Sequence, residues 1–188
     1  MDVTDLSSAT SVVVIALRSI GPDQWDEPTP CPDWTVRQVV HHLVVGTDRF
    51  IRRFGVTPSV AVPEQESSPA ELLTALERST AQLVAVFSEP GRLQQVIELP
   101  IGAMPGQSAL DLRVVETFTH GWDIAQALRT PIDFDTSAIE RAIAFSGPAL
   151  ARIPEGRSPF GTPQPAPEGA DAQDRLVALL GRQPVSSS

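Results

Sequence analysis

Apolar residues recur at helical spacing along most of this chain, and the gaps between those stripes carry strong stop signals. The first stripe predicts a helix from about 4 to 20, ended by Gly21 and Pro22. A proline-rich connection, 27–33, leads to a second helix opening at Thr35. Thr35 and Gln38 fit a capping box, in which each side chain satisfies a free backbone N–H of the first turn. Val36, Val39, Val40, Leu43, Thr47, Phe50, Ile51 and Phe54 carry the stripe on, and Gly55 closes it. Residues 56–67 read as a loop. Ser68 as N-cap, Pro69 at the first helical position and Glu71 as box partner start a third helix. It runs to about 88, where Pro90 and Gly91 break it. Residues 96–99 have strand-like composition, and Gly102, Pro105 and Gly106 mark turns, so 93–106 forms either a short hairpin or an ordered loop. A fourth helix is predicted over 108–128. A fifth spans 136–152, with a kink or early end at Gly147 and Pro148.

Residues 154–170 hold five prolines and three glycines and predict a strap over the surface. A short helix over about 171–180 follows, and the serine-rich end is expected to fray. The expected fold class is all-α: a four-helix bundle over 1–153, interrupted by the irregular or hairpin-like segment before its fourth helix. A proline-rich extension, 154–188, carries the short last helix. No internal repeat is visible.

Composition narrows the chemistry. The 188 residues suit one domain with an appendage. The single cysteine, Cys31, excludes an intramolecular disulfide and any Cys-rich zinc site. No apolar run is long enough for a transmembrane span. The acidic N-terminus does not read as a signal peptide, so a cytoplasmic protein without membrane partners is expected. A net charge of −9 argues against a nucleic-acid partner. All 14 basic residues are arginine, and lysine, tyrosine and asparagine are absent. That removes Schiff-base lysine, P-loop lysine and tyrosine acid chemistry.

What remains is a sparse set of metal donors. The chain has three histidines. His120 follows Glu116 by four residues on the fourth helix, so both side chains share one face, roughly 6 Å apart at Cβ. A histidine from the second helix would complete a three-ligand site with an open position, as catalytic metals have. His41 and His42 lie on opposite flanks of their apolar stripe, and spacing does not choose between them. Asp123, three residues beyond His120, is placed to accept the second ring N–H of that imidazole. The rival reading is a solvated polar face, because Glu116, His120 and Asp123 fall opposite Val114, Val115, Phe118, Trp122 and Ala125. Cys31 stands just before a helix N-terminus, where the dipole favours thiolate; a small apolar filler in the turn is the favoured alternative. Trp34 and Trp122 are candidates to line a pocket, with core packing the favoured reading.

Three segments carry a family resemblance. Thr29-Pro-Cys-Pro-Asp-Trp-Thr-Val-Arg-Gln-Val-Val-His-His-Leu43 is similar to a helix-two motif with a ligand histidine just before leucine. Glu116-Thr-Phe-Thr-His-Gly-Trp-Asp-Ile-Ala125 is similar to a helix-four motif. Phe160-Gly-Thr-Pro through Gln173-Asp-Arg-Leu-Val-Ala-Leu-Leu-Gly181 resembles the C-terminal segment of one subgroup. Together they resemble the mycothiol-dependent maleylpyruvate isomerase-like proteins, within the DinB-like metal-binding four-helix bundles. The resemblance implies His42, Glu116 and His120 as metal ligands, with Asp123 as the partner behind His120. It implies a divalent ion, with zinc expected and nickel, iron or manganese as alternatives, and mycothiol or another low-molecular-weight thiol as cofactor. An electrophilic small molecule would be the substrate of a thiol transferase or isomerase. A non-catalytic metal- or small-molecule-binding bundle and a non-haem iron enzyme are the alternative functions, and a homodimer is left open. Better characterised members carry a larger C-terminal domain that helps hold the thiol; here a proline-rich segment and one short helix follow the bundle.

Overall fold

A computed structural model describes residues 1–151, 153, 158 and 160–184. Four long helices form the bundle: α1 (Val3–Arg18), α2 (Val36–Arg53), α3 (Pro69–Ser88) and α4 (Gly106–Leu128). Around the bundle the order is α1, α3, α2, α4, so that α4 packs on both α1 and α2. Capping chemistry sets the starts. Thr35 accepts from the Gln38 N–H while the Gln38 side chain accepts from the Thr35 N–H at 2.8 Å. Ser68 and Glu71 do the same for α3. Asp2 caps α1.

The 93–106 segment resolves as a hairpin. Strand β1 (Val96–Leu99) pairs antiparallel with β2 (Gly102–Pro105), which runs directly into α4. Helix α4 therefore begins two residues before the predicted start. Gly106 sits against the chain at 92–93: a Cβ there would lie 2.1 Å from the Arg92 carbonyl oxygen. A short 3-10 turn, Pro22–Asp26, was not expected from the sequence; it buries Trp25 under the second helix.

Helix α5 (Thr136–Leu150) runs through Pro148 and ends two residues beyond it. The expected end at 152 lies outside the described residues, as do most of 154–159 and the serine-rich stretch 185–188. Helix α6 (Ala172–Leu179) packs on α5 and α4.

Helix α4 is the central element. Every residue from 109 to 124 is buried except Glu116. A helix enclosed on all sides has no solvated stripe, so its polar residues must find partners inside the protein. No helix among the described residues is long and apolar enough to cross a membrane.

Gly106→Ala is expected to destabilise the protein by about 1–3 kcal/mol, the usual cost of forcing a methyl group into filled space. Urea denaturation followed by circular dichroism measures it; an unchanged midpoint would show that the hairpin-to-α4 junction relaxes freely.

Candidate metal centre

The centre lies where α2 and α4 face each other under the turn that precedes α2. That turn is tightly built. An isolated bridge joins Pro28 to Thr35. The Thr29 N–H donates to the Trp34 carbonyl at 2.9 Å, and Thr29 Oγ1 accepts from the Cys31 N–H. Asp33 takes the left-handed region at φ 65°, a conformation non-glycine residues adopt mainly in turns and at strained sites. The result aims Cys31 and Trp34 inward, both half-buried.

Trp34 lies over two imidazoles. Its ring centroid is 4.6 Å from that of His42 and 5.8 Å from that of His120, nearly parallel to the latter. The His42 and His120 centroids are 5.0 Å apart. Two imidazoles bound to one tetrahedral ion through single nitrogens stand roughly 5 Å apart by centroid, given metal–nitrogen bonds of about 2.0–2.1 Å. His41 points elsewhere, its Nε2 3.1 Å from the Pro63 carbonyl oxygen. Burial pushes His42 down to about 3, and the charges of His120, Arg113, Arg49 and His41 push the same way. His42 is thus a neutral imidazole across the physiological range, the form that binds metals.

The polar line on α4 is not a solvated face. Asp123 has no exposed surface and His120 is 6% exposed. His120 Nδ1 lies 3.0 Å from Asp123 Oδ2. With Nδ1 held by the carboxylate, Nε2 is the nitrogen left for another partner. Asp123 is also gripped by Arg182 through two contacts, Nη2 to Oδ2 at 2.8 Å and Nε to Oδ1 at 3.2 Å. Burial alone would raise the Asp123 pKa. The hydrogen bonds from His120 and Arg182 outweigh it and hold the carboxyl below its ordinary value.

Glu116 is more open than its neighbours, and its Oε2 accepts from Arg113 Nη1 at 2.8 Å. Arg113 is 2% exposed and also donates from Nη2 to the Leu43 carbonyl on α2. Gly46 makes room for it: a Cβ there would stand 2.6 Å from Arg113 Nη1. Among the described residues, the donor atoms that all lie within 4.8 Å of one another are those of Cys31, His120 and Asp123; His42 and Glu116 of the expected triad fall outside that cluster. The Cys31 thiol is pushed up by burial and by the Asp123 charge, with Arg182 opposing.

Neither arginine was singled out from the sequence. Arg113 had a weak signal, being the one cation among apolar residues a turn before Glu116. Arg182 had none, since it meets Asp123 across 59 residues of chain. Trp34 was read as core and is instead the lid of the two imidazoles.

The bundle resembles a solved one. A crystal structure of a mutant of the mycothiol-dependent maleylpyruvate isomerase aligns with a TM-score of 0.56 over 76% of this chain. At 17% identity that likeness concerns the fold alone, and this chain spans 66% of that enzyme. The family itself is given by sequence: residues 6–125 match the mycothiol maleylpyruvate isomerase N-terminal domain, and the protein belongs to that family. An uncharacterized protein of Mycobacterium tuberculosis is 31% identical over 167 residues, covering 88% of this chain and 89% of the relative. A second from the same organism is 27% identical over 152 residues, covering 67% of this chain and 56% of its own.

Two predictions follow from the buried charges. Arg182→Ala should cost about 3–5 kcal/mol, because it leaves the Asp123 carboxylate enclosed without its cation; urea denaturation at pH 7 reads it. The variant should also unfold at higher pH on acidification. Asp123 stabilises the fold above its unfolded pKa and loses that contribution as pH falls through the lowered folded value, and removing Arg182 raises that folded value. Separately, His42 binds its proton more readily when unfolded, so the protein should lose stability as pH falls from 6.5 towards 3. His42→Phe should flatten that part of the stability–pH curve; equal slopes in both proteins would refute the neutral buried imidazole.

Proposed function

We propose that this protein is a divalent-metal-dependent thiol S-transferase or isomerase of the mycothiol type. His42, Glu116 and His120 are the ligands in this reading. The observation that carries it is the 5.0 Å approach of the His42 and His120 ring centroids from two different helices. The donor types suit a divalent ion. One imidazole is kept neutral by burial. The other is oriented by a carboxylate on its far nitrogen. Glu116 keeps Oε1 available, because Arg113 holds Oε2. Two imidazoles and a carboxylate suit zinc, and equally nickel, iron or manganese. Three protein ligands leave a position for a small molecule.

A bound divalent ion would supply the acidity that turns a thiol into a thiolate near neutral pH. The chain's own residues do the rest. Asp123 fixes the tautomer of His120, and Arg182 keeps Asp123 ionised and in place. Arg113 sets the rotamer of Glu116 against α2. Trp34 excludes water from one side of both imidazoles. The family's name supports mycothiol as the thiol, and an electrophilic small molecule is the expected second substrate.

A second reading, a metal-binding bundle without turnover, draws on the Arg113–Glu116 ion pair, which already satisfies one carboxylate oxygen. One experiment separates the two. His120→Ala is expected to lose stoichiometric metal by elemental analysis while its helical circular dichroism is retained. Metal-loaded wild type, given mycothiol and a haloaromatic electrophile, should turn over only when both metal and thiol are present. Unchanged metal content in His120→Ala overturns the site; metal binding without any thiol-dependent turnover favours the non-catalytic bundle.

A further inference from the structure

Cys31 is the single cysteine of the chain, and it is built into the wall of the centre rather than into the turn's exterior. The Pro28–Thr35 bridge, the two Thr29 hydrogen bonds and the Trp34 N–H donating to the Cys31 carbonyl fix its backbone. Its sulfur stands within 4.8 Å of donor atoms of both His120 and Asp123. Two donors sharing one zinc ion, with bonds of about 2.3 Å to sulfur and 2.0–2.1 Å to nitrogen, stand roughly 3.6 Å apart. A change of the Cys31 χ1 rotamer moves Sγ by roughly 3 Å, more than the difference. Of the three side chains in this cluster, Asp123 is already committed to His120 and to Arg182. The thiol carries no such commitment among the described residues.

Resting on the metal site proposed above, we propose that Cys31 Sγ is a ligand of the same ion as His42, Glu116 and His120. The resting centre is then closed by the protein's own thiolate, and an external low-molecular-weight thiol enters by replacing it. Charge and protons balance in that exchange. The Cys31 proton leaves to solvent when its sulfur first ligates. On exchange, the proton of the incoming thiol passes to Cys31 as its sulfur departs, and the net charge of the centre is unchanged. Four protein ligands are the signature of a closed site and three of an open one, so Cys31 sets which of the two the free protein presents.

Cobalt(II) tests this directly, because thiolate ligation gives an intense near-ultraviolet sulfur-to-cobalt absorption that imidazole and carboxylate ligands do not. With one cysteine in the chain, such a band has one source. The protein is reduced with a phosphine, freed of added thiol and titrated with cobalt(II) to one equivalent. Wild type is expected to show the near-ultraviolet band together with the visible ligand-field bands. Cys31→Ser is expected to bind the same amount of cobalt and keep the visible bands while losing the near-ultraviolet one. Cobalt binding by wild type without that band, or a band that survives in Cys31→Ser, overturns the Cys31 ligand and leaves the His42–Glu116–His120 site standing. A wild type that binds no cobalt overturns both. Mycothiol added to cobalt-loaded Cys31→Ser is expected to restore a sulfur-to-cobalt band, and its failure to do so overturns the exchange.

Discussion

A fully enclosed carboxylate is the feature on which the rest of this structure turns. Asp123 sits on the most buried helix of the protein, where an unpaired charge would be severely destabilising. Two partners resolve it, and both matter for the centre. His120 comes from the same helix one turn earlier, and its imidazole is thereby fixed in orientation. Arg182 comes from the residues that follow α6 and fixes the carboxylate from the other side. Satisfying one buried charge thus aligns the His120 imidazole and docks the C-terminal segment onto the bundle. Trp122 adds a second tie between the same elements, donating its indole N–H to Asp174 at 3.0 Å.

A second buried cation does related work on the opposite side of the centre. Arg113 links α4 to the Leu43 carbonyl of α2 and to Glu116. The α2 residue across from it is glycine, and a methyl group there would collide with the guanidinium. The distance between the helices that carry His42 and Glu116 is therefore set by the Arg113 hydrogen bond to the Leu43 carbonyl and a missing side chain, in addition to apolar packing. Arginine suits both positions, since its planar fork makes two directed bonds at once.

Much of the fold was legible because it is written in local chemistry. The Thr35–Gln38 and Ser68–Glu71 boxes mark helix starts at the residues where the helices begin. Gly55 and the Pro90–Gly91 pair mark ends for equally local reasons. The junction at Gly106 was misplaced because the signal there is a contact with the Arg92 carbonyl, which no sequence window displays. Helix α5 passes Pro148 and ends two residues beyond it, so the hydrogen bond its missing N–H forgoes and the crowding of its ring fall in the last turns. At the centre, spacing placed Glu116, His120 and Asp123 on one line but gave the wrong surroundings. Periodicity reports which residues differ from the apolar stripe, and α4 has neighbours on every side. Spacing left His41 and His42 undivided and the family resemblance pointed to His42; the structure turns His41 to Pro63 and sets His42 against Trp34. Arg182 was invisible for the most general reason: long-range pairs between charges leave no periodic trace.

The C-terminal segment that carries Arg182 has a consequence for biosynthesis. Gly161 and Gly181 pass backbone against backbone, so closely that a Cβ on Gly181 would lie 2.5 Å from the Gly161 Cα. Beside this crossing Gly181, at φ 89°, reverses the chain, with the Arg182 N–H donating to the Val177 carbonyl at 2.9 Å. During translation the bundle helices leave the ribosome well before that arginine does, and domains tend to fold in the order they emerge. Until the crossing forms, Asp123 has only His120 to answer its charge. Assembly of the centre is thus a late event in the life of the nascent chain, completed by the docking of a segment that contributes no helix to the bundle.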